Sequence, residues 1–257
     1  MAFKVDNLSL FMSGFNVLRS INTSIGAGQI TAIVGPNGAG KSSFIKVLSG
    51  DMLSTSGRVT LNDRILSEWN SQERAQILSV LPQHSSLNFS FNASEVVALG
   101  RIPHRSGKVR DSSIVKEALN LVDASYLESR FFTQMSGGER QRVQLARVLA
   151  QIWEPTQVGS QFLVLDEPTS ALDLSHQMLT LKIVSDMAKR GVGVVIVLHD
   201  LNLAARCADN IFVFDKGSIV AEGCPDKVLT KELIRDVFDI NPVIIKHPIT
   251  NKPLVIS

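Results

Sequence analysis

The 257-residue sequence predicts an α/β fold built on a mainly parallel sheet. Three observations carry that prediction. Residues 162–165 and 192–198 are short, nearly unbroken apolar runs of strand length. They lack the polar alternation of a half-exposed strand, as expected of strands covered on both faces. Between them Leu179, Ile183 and Met187 fall at i, i+4 and i+8, the spacing of one helix face, and Gly191 ends that segment. Finally, an apolar run over 29–34 stops at Gly35 and gives way to a glycine-rich loop and another helical pattern. Alternation of strand and helix sets parallel strands side by side with helices packed across them.

Taken in order, residues 3–10 alternate weakly as a strand, and 57–61 form another strand ended by the turn pair Asn62-Asp63. A helix starts near Gly40 and runs to about Leu48, with Phe44, Val47 and Leu48 on one face and Gly50 as its stop. Ser79-Val80-Leu81-Pro82 is a strand-like run leading to Gln83. The middle third changes character: 93–99, 112–122 and 138–150 read as helices, an insertion into the sheet domain. Residues 153–161, with Pro155 and Gly159, read as a loop. A helix is expected over 231–238, followed by an irregular ending punctuated by Pro242, Pro248 and Pro253.

Lys and Arg number 26 against 24 Asp and Glu, so the formal charge is +2, without the basic excess that marks a nucleic-acid partner. Apolar residues make up 44% of the chain, enough for a packed core and too many for a disordered one. No run approaches the ~18 apolar residues of a membrane-spanning helix. Asp6 interrupts any signal-peptide pattern. Cys207 and Cys224 show no metal-ligand or CxxC spacing and read as buried thiols in a reducing compartment, so a cytosolic protein is expected.

Gly35-Pro36-Asn37-Gly38-Ala39-Gly40-Lys41-Ser42 fits the phosphate-loop pattern GxxxxGK[ST] in the context that pattern needs, after a strand and opening a helix. Glycines let successive backbone N–H groups curl around phosphate oxygens, and the helix N-terminus adds favourable partial charge. Lys41 is expected on the β- and γ-phosphates and the Ser42 hydroxyl on Mg²⁺, with Ser43 completing the nucleotide set. The bland alternative is a plain glycine-rich turn; the flanking strand and helix argue against it. Phe162-Leu163-Val164-Leu165-Asp166-Glu167 delivers two carboxylates at the C-terminal end of a buried strand, the edge where open α/β sheets bind ligands. Asp166 is expected to hold Mg²⁺ and Glu167 to act as general base toward the attacking water. Alone, such a pair is more often structural, for instance at a helix start; beside a phosphate loop the balance reverses. His199 follows the next buried strand and is expected at the γ-phosphate. Gln83 is a neutral amide able to orient water or Mg²⁺, although a single glutamine carries little weight.

Met135-Ser136-Gly137-Gly138-Glu139-Arg140-Gln141-Arg142 leads into the helix over 138–150 and forms a second anion-binding helix start. One phosphate loop does not need two, and standing alone the string reads equally as an ordinary glycine-containing N-cap. Together with the other motifs it makes the sequence resemble the ATP-binding-cassette (ABC) ATPases. The family's elements occur in order: the Walker A loop from Gly35 to Ser42, the Q-loop Gln83, the signature Ser136-Gly137-Gly138-Glu139, the Walker B run ending Asp166-Glu167, the D-loop Ser170-Ala171-Leu172-Asp173 and the H-loop His199. The resemblance spans roughly residues 1–225. Glu139 stands where Gln is commoner, and Met135 where Leu is usual.

The resemblance implies a RecA-like P-loop NTPase core with a mainly parallel sheet, an antiparallel β subdomain and an inserted helical subdomain. The core would take 1–85 and 155–225, the helical signature subdomain 86–154, and a C-terminal extension 226–257. It implies ATP hydrolysis with Mg²⁺ by two copies facing head to tail, ATP on one Walker A loop being capped by Ser136, Gly137, Gly138 and Glu139 of the other. Also implied are two copies of a multi-span permease at the cytoplasmic face of the inner membrane and, indirectly, a periplasmic substrate-binding protein, with no nucleic acid. Residues 88–105 are expected to receive the permease. Glu95-Val96-Val97-Ala98-Leu99-Gly100-Arg101, Pro103-His104, His176-Gln177 and Leu198-His199-Asp200-Leu201-Asn202 are similar to the importer subfamily for iron-siderophore, haem and vitamin B12. His247-Pro248 and Lys252-Pro253-Leu254-Val255 look most like haem-importer ATPases, so haem is the expected cargo and siderophore or B12 the alternatives. The family stacks adenine on an aromatic residue ahead of Walker A, and Phe11, Met12 and Phe15 all stand near that position. A soluble cassette protein and a P-loop nucleotide kinase are the competing classes. The former usually carries tandem cassettes or coiled-coil inserts, and the latter leaves the signature and D-loop unexplained.

Overall fold

A computed structural model describes residues 2–83 and 90–256. The weak alternation near the N-terminus becomes β1 (Ala2–Met12), with Phe3, Val5, Leu8 and Leu10 buried, paired antiparallel with β2 (Phe15–Gly26). The apolar run that follows is β3 (Ile30–Val34), buried at every residue. α1 (Lys41–Ser49) opens at Gly40 and ends at Gly50, whose N–H donates to the Val47 carbonyl. β4 (Ser56–Leu61) and β5 (Arg64–Ile65) form a hairpin around Asn62-Asp63, both at positive φ as a tight two-residue turn demands. α2 (Ser71–Ile77), capped by Asn70, runs straight into β6 (Leu78–Leu81).

The helical middle comprises α3 (Ala93–Ala98), α4 (Lys108–Leu121) and α5 (Gly137–Gln151). α4 begins a turn earlier than expected. Its first turn carries no apolar periodicity, since Val109 is exposed, and so left no trace in the pattern. The α/β pattern then resumes with β7 (Phe162–Asp166), α6 (Leu174–Lys189), β8 (Gly193–Val197), α7 (Leu201–Cys207), β9 (Asn210–Asp215) and β10 (Ser218–Gly223). α8 (Pro225–Val228) and α9 (Lys231–Phe238) follow.

The ending is not irregular. β11 (Val243–Lys246) and β12 (Pro253–Ile256) pair as an antiparallel hairpin. Pro242 precedes β11, Pro248 lies in the connection and Pro253 is the first residue of β12, all places where a missing N–H is tolerated. Asn202 on α7 ties the hairpin down, accepting from the Val255 N–H (2.7 Å) and donating to its carbonyl (2.9 Å). The two thiols also part company. Cys207 is largely enclosed, and burial pushes its thiol up to about 12. Cys224 is exposed, at the position just before the short helix α8.

The central sheet has the order β10-β9-β3-β8-β7-β6, parallel from β9 to β6 with β10 antiparallel at the edge. Alternate residues enter two cores. Ile33, Val164, Val195, Val197 and Phe214 face α1 and the antiparallel sheet β2-β1-β4-β5, while Ala32, Val34, Leu163, Leu165 and Ile196 face the helices α3 to α7. Both faces are apolar, which is why the strands read as continuous runs. Each of these Val, Leu, Ile and Phe side chains contributes roughly 1.5–3 kcal/mol over leaving it exposed. Ile33 and Asp166 both pair with Val197, and Leu81 pairs with Leu165. The carboxyl ends of β3, β8, β7 and β6 therefore form one row. No helix among the described residues is long and apolar enough to cross a membrane.

Candidate active site

That row carries the phosphate loop, His199, Asp166-Glu167 and Gln83 in adjacent places. The loop closes at Gly40, which holds φ at 101° while the Val17 carbonyl comes so near that a Cβ would stand 2.9 Å from it. Only glycine meets both demands without strain. The Ala39 N–H donates to the Pro36 carbonyl (3.3 Å), and the Ala39 carbonyl accepts from the Gly217 N–H (3.0 Å), fixing the loop against the β9–β10 turn. At the start of α1 the N–H groups of Lys41, Ser42 and Ser43 have no acceptor within the helix. These three residues line a cavity of about 400 Å³ with Asn37, Gly38 and Gly40, and with Gln83 and Glu167 from neighbouring strand ends. Val17 is also in its wall, which sequence reasoning missed; the trace it left is that its carbonyl needs a glycine at both 40 and 217.

The Lys41 ammonium lies under the loop, donating to the Gly35 (2.7 Å) and Pro36 (2.9 Å) carbonyls. Burial lowers its pKa, against the pull of Glu167 and Asp166. Asp166 is buried, and desolvation raises its carboxyl above the usual range while a hydrogen bond with Ser42 works the other way. Among the described residues its Oδ1 is enclosed with no hydrogen-bond partner. A buried, unpartnered carboxylate oxygen beside a serine hydroxyl is a hard-oxygen donor set, and it fits Mg²⁺.

Glu167 sits at φ 53°, in the left-handed region that a non-glycine residue occupies at a cost. His199 Nε2 stands 2.6 Å from Glu167 Oε1. An ionised carboxylate can only accept, so the imidazole donates its Nε2–H. His199, expected at the γ-phosphate, is thus brought beside Glu167. Gln83 is exposed at the end of β6, at the cavity rim.

The signature residues lie elsewhere. Ser136 caps α5: its Oγ accepts from the Glu139 N–H (3.3 Å), and Glu139 Oε2 accepts from the Ser136 N–H (2.8 Å). Arg130 adds an ion pair to Glu139 at 2.9 Å. The Ser136 N–H, first among these contacts, holds the Glu139 carboxyl below the usual range. None of Ser136, Gly137, Gly138 and Glu139 lines the phosphate cavity. Gly138 rests instead on the D-loop, where a Cβ on it would stand 3.0 Å from the Ala171 carbonyl. Within one chain the two anion-binding helix starts are not brought together. Phe11, Met12 and Phe15 are all exposed, Phe15 the most at 74%.

Comparison with known proteins agrees with this geometry. A family profile described as ABC transporter matches residues 18–170. Over 254 residues the chain is 48% identical to the hemin import ATP-binding protein HmuV of Pseudomonas fluorescens, covering 99% of each. It is 47% identical to the protein of that name from Pseudomonas aeruginosa, again over 99% of both. A solved ABC transporter in an inward-facing conformation, provisionally described as of the metal-chelate type, superposes with a TM-score of 0.82 at 26% identity, over 99% of this chain and 96% of that one. The RecA-like P-loop fold expected from the sequence is the one found, and the chain belongs to the ATP-binding cassette (ABC) transporter family.

Proposed function

We propose that the chain is the ATP-hydrolysing subunit of an importer that moves haem (hemin) across the cytoplasmic membrane. The observation that carries the ATPase reading is the meeting of the phosphate loop with Glu167 and the unpartnered Asp166 oxygen at one sheet edge. The backbone from Gly35 through Pro36, Asn37, Gly38, Ala39 and Gly40 cradles the phosphates. Lys41, Ser42 and Ser43 bind them at the helix start. Ser42, Asp166 and Gln83 hold Mg²⁺, which when bound neutralises charge on the transferring phosphate. Glu167 takes the proton of the attacking water, and His199 fixes the orientation of that carboxylate. Phe15 is the best placed of the three residues for the adenine ring, since it is the most exposed and lies two positions before Val17 in the cavity wall.

Ser136, Gly137 and Gly138 act on nucleotide held by a second copy in a head-to-tail homodimer, with Glu139 serving them as the cap of α5. Residues 1–85 and 155–225 form the nucleotide core, 86–154 the signature subdomain and 226–257 an extension. The permease docks on the segment after Gln83. Residues 88 and 89 of that expected surface lie outside the described residues, but its far end carries Ile102, 72% exposed beside a groove with Ala98, His104 and Val115. Two permease subunits and a periplasmic binding protein complete an assembly at the cytoplasmic face of the inner membrane. Hemin is favoured over siderophore or B12 by near-full-length identity to hemin import subunits. Glu167→Gln tests the reading. It should cut turnover by at least about 100-fold while nucleotide stays bound; undiminished hydrolysis would remove Glu167 from its role.

A further inference from the structure

The pair His176-Gln177 takes no part in the phosphate cavity, yet it is tied to the loop that follows Glu167. Gln177 lies near the start of α6, half-buried. Its Nε2 donates to the carbonyls of Thr169 (3.3 Å) and Leu172 (3.1 Å), which bracket Ser170-Ala171. The Leu172 N–H also donates to the Thr169 carbonyl (3.2 Å), so the D-loop is a closed turn carried on one side-chain amide. At one end, Ser170 Oγ donates to the Glu167 carbonyl (3.1 Å). At the middle, Ala171 meets Gly138 at the start of the signature helix. A continuous stretch of backbone therefore runs from the strained Glu167 to the signature, and Gln177 supports it.

We infer that Gln177 is a positioning residue for ATP hydrolysis: it holds the D-loop so that Glu167 and the signature helix keep a fixed relation. The inference rests on the ATPase reading above. His176 acts more weakly on the same turn. Its Nδ1 is 2.9 Å from Asp173, the N-cap of α6, and its Nε2 is 3.5 Å from Asp123, which also pairs with Arg142. Asp123 is well exposed, so that bridge contributes little. The amide of Gln177 matters because it donates to both carbonyls at once and so joins the two ends of the turn. An ionised glutamate of the same shape offers only acceptors, and a methionine offers no donor and only a weak acceptor.

The test compares the wild type, Gln177→Glu and Gln177→Met in the permease complex in lipid. Steady-state ATPase kinetics are read alongside amide hydrogen exchange over 169–172. Both variants should lose kcat roughly tenfold, while KM for ATP stays within about twofold and D-loop exchange accelerates. The two substitutions fail in different ways, so misfolding of one leaves the other to decide. Unchanged kcat with a loosened D-loop overturns the inference, as does a KM that rises in step with the loss of kcat, or unchanged exchange. A wild type that hydrolyses no ATP would sink the ATPase reading itself and the positioning role with it.

Discussion

Two local features coincide at Glu167, a left-handed backbone and a histidine donor 2.6 Å from its carboxylate. Strain of this kind persists only where neighbours hold it, and here His199 and Ser170 do so. Lys41 is the other residue on which the site turns. It spans its own loop through the Gly35 and Pro36 carbonyls and lies within the field of Asp166 and Glu167. Lys41→Ala should weaken ATP binding roughly 10- to 100-fold, the loss expected of charge-assisted hydrogen bonds to phosphate. Calorimetric titration with nucleotide checks this, and unchanged affinity would contradict the cradle. These residues were legible in the sequence because each follows an apolar run in a fixed string. Val17 and Gln177 were not legible as site residues. Neither carries a distinctive chemistry, and both act through backbone carbonyls that only the fold brings close.

Among the elements, α5 shows how a departure from the common signature is absorbed. Glu139 closes a capping box with Ser136 and pairs with Arg130, so its carboxylate serves the helix start. Glu139→Ala should cost about 1 kcal/mol of stability at neutral pH. The folded-state pKa lies below the ordinary 4.5, so this contribution is present above that pH and fades as pH falls through the depressed value. Unfolding of wild type and variant at neutral and acid pH measures it; a gap that widens in acid would contradict the assignment. The helices and buried strands were read correctly where apolar spacing was strong, as in α1, β7 and β8. The reading failed where pattern was weak. α4 gained a first turn with an exposed Val109, and the proline-marked tail became a hairpin because its prolines occupy permissive positions.

In the whole molecule, the parallel register lines up four strand ends, and that alignment makes one site from motifs scattered between residues 35 and 199. The signature stays outside it, its Gly138 resting on the D-loop of its own chain, as the proposed head-to-tail pair requires. The fold and the nucleotide edge were thus readable from strings and spacing, whereas the contact of Gly138 with Ala171 depends on how α5 packs over the core. The central claim, a hemin-importing ATPase, is tested most directly by ATP hydrolysis of the chain co-purified with its permease in lipid vesicles, before and after adding hemin-loaded periplasmic binding protein. The account predicts hydrolysis that rises with the hemin-loaded partner and is abolished by Glu167→Gln. Hydrolysis that needs no permease and ignores the loaded partner would contradict it.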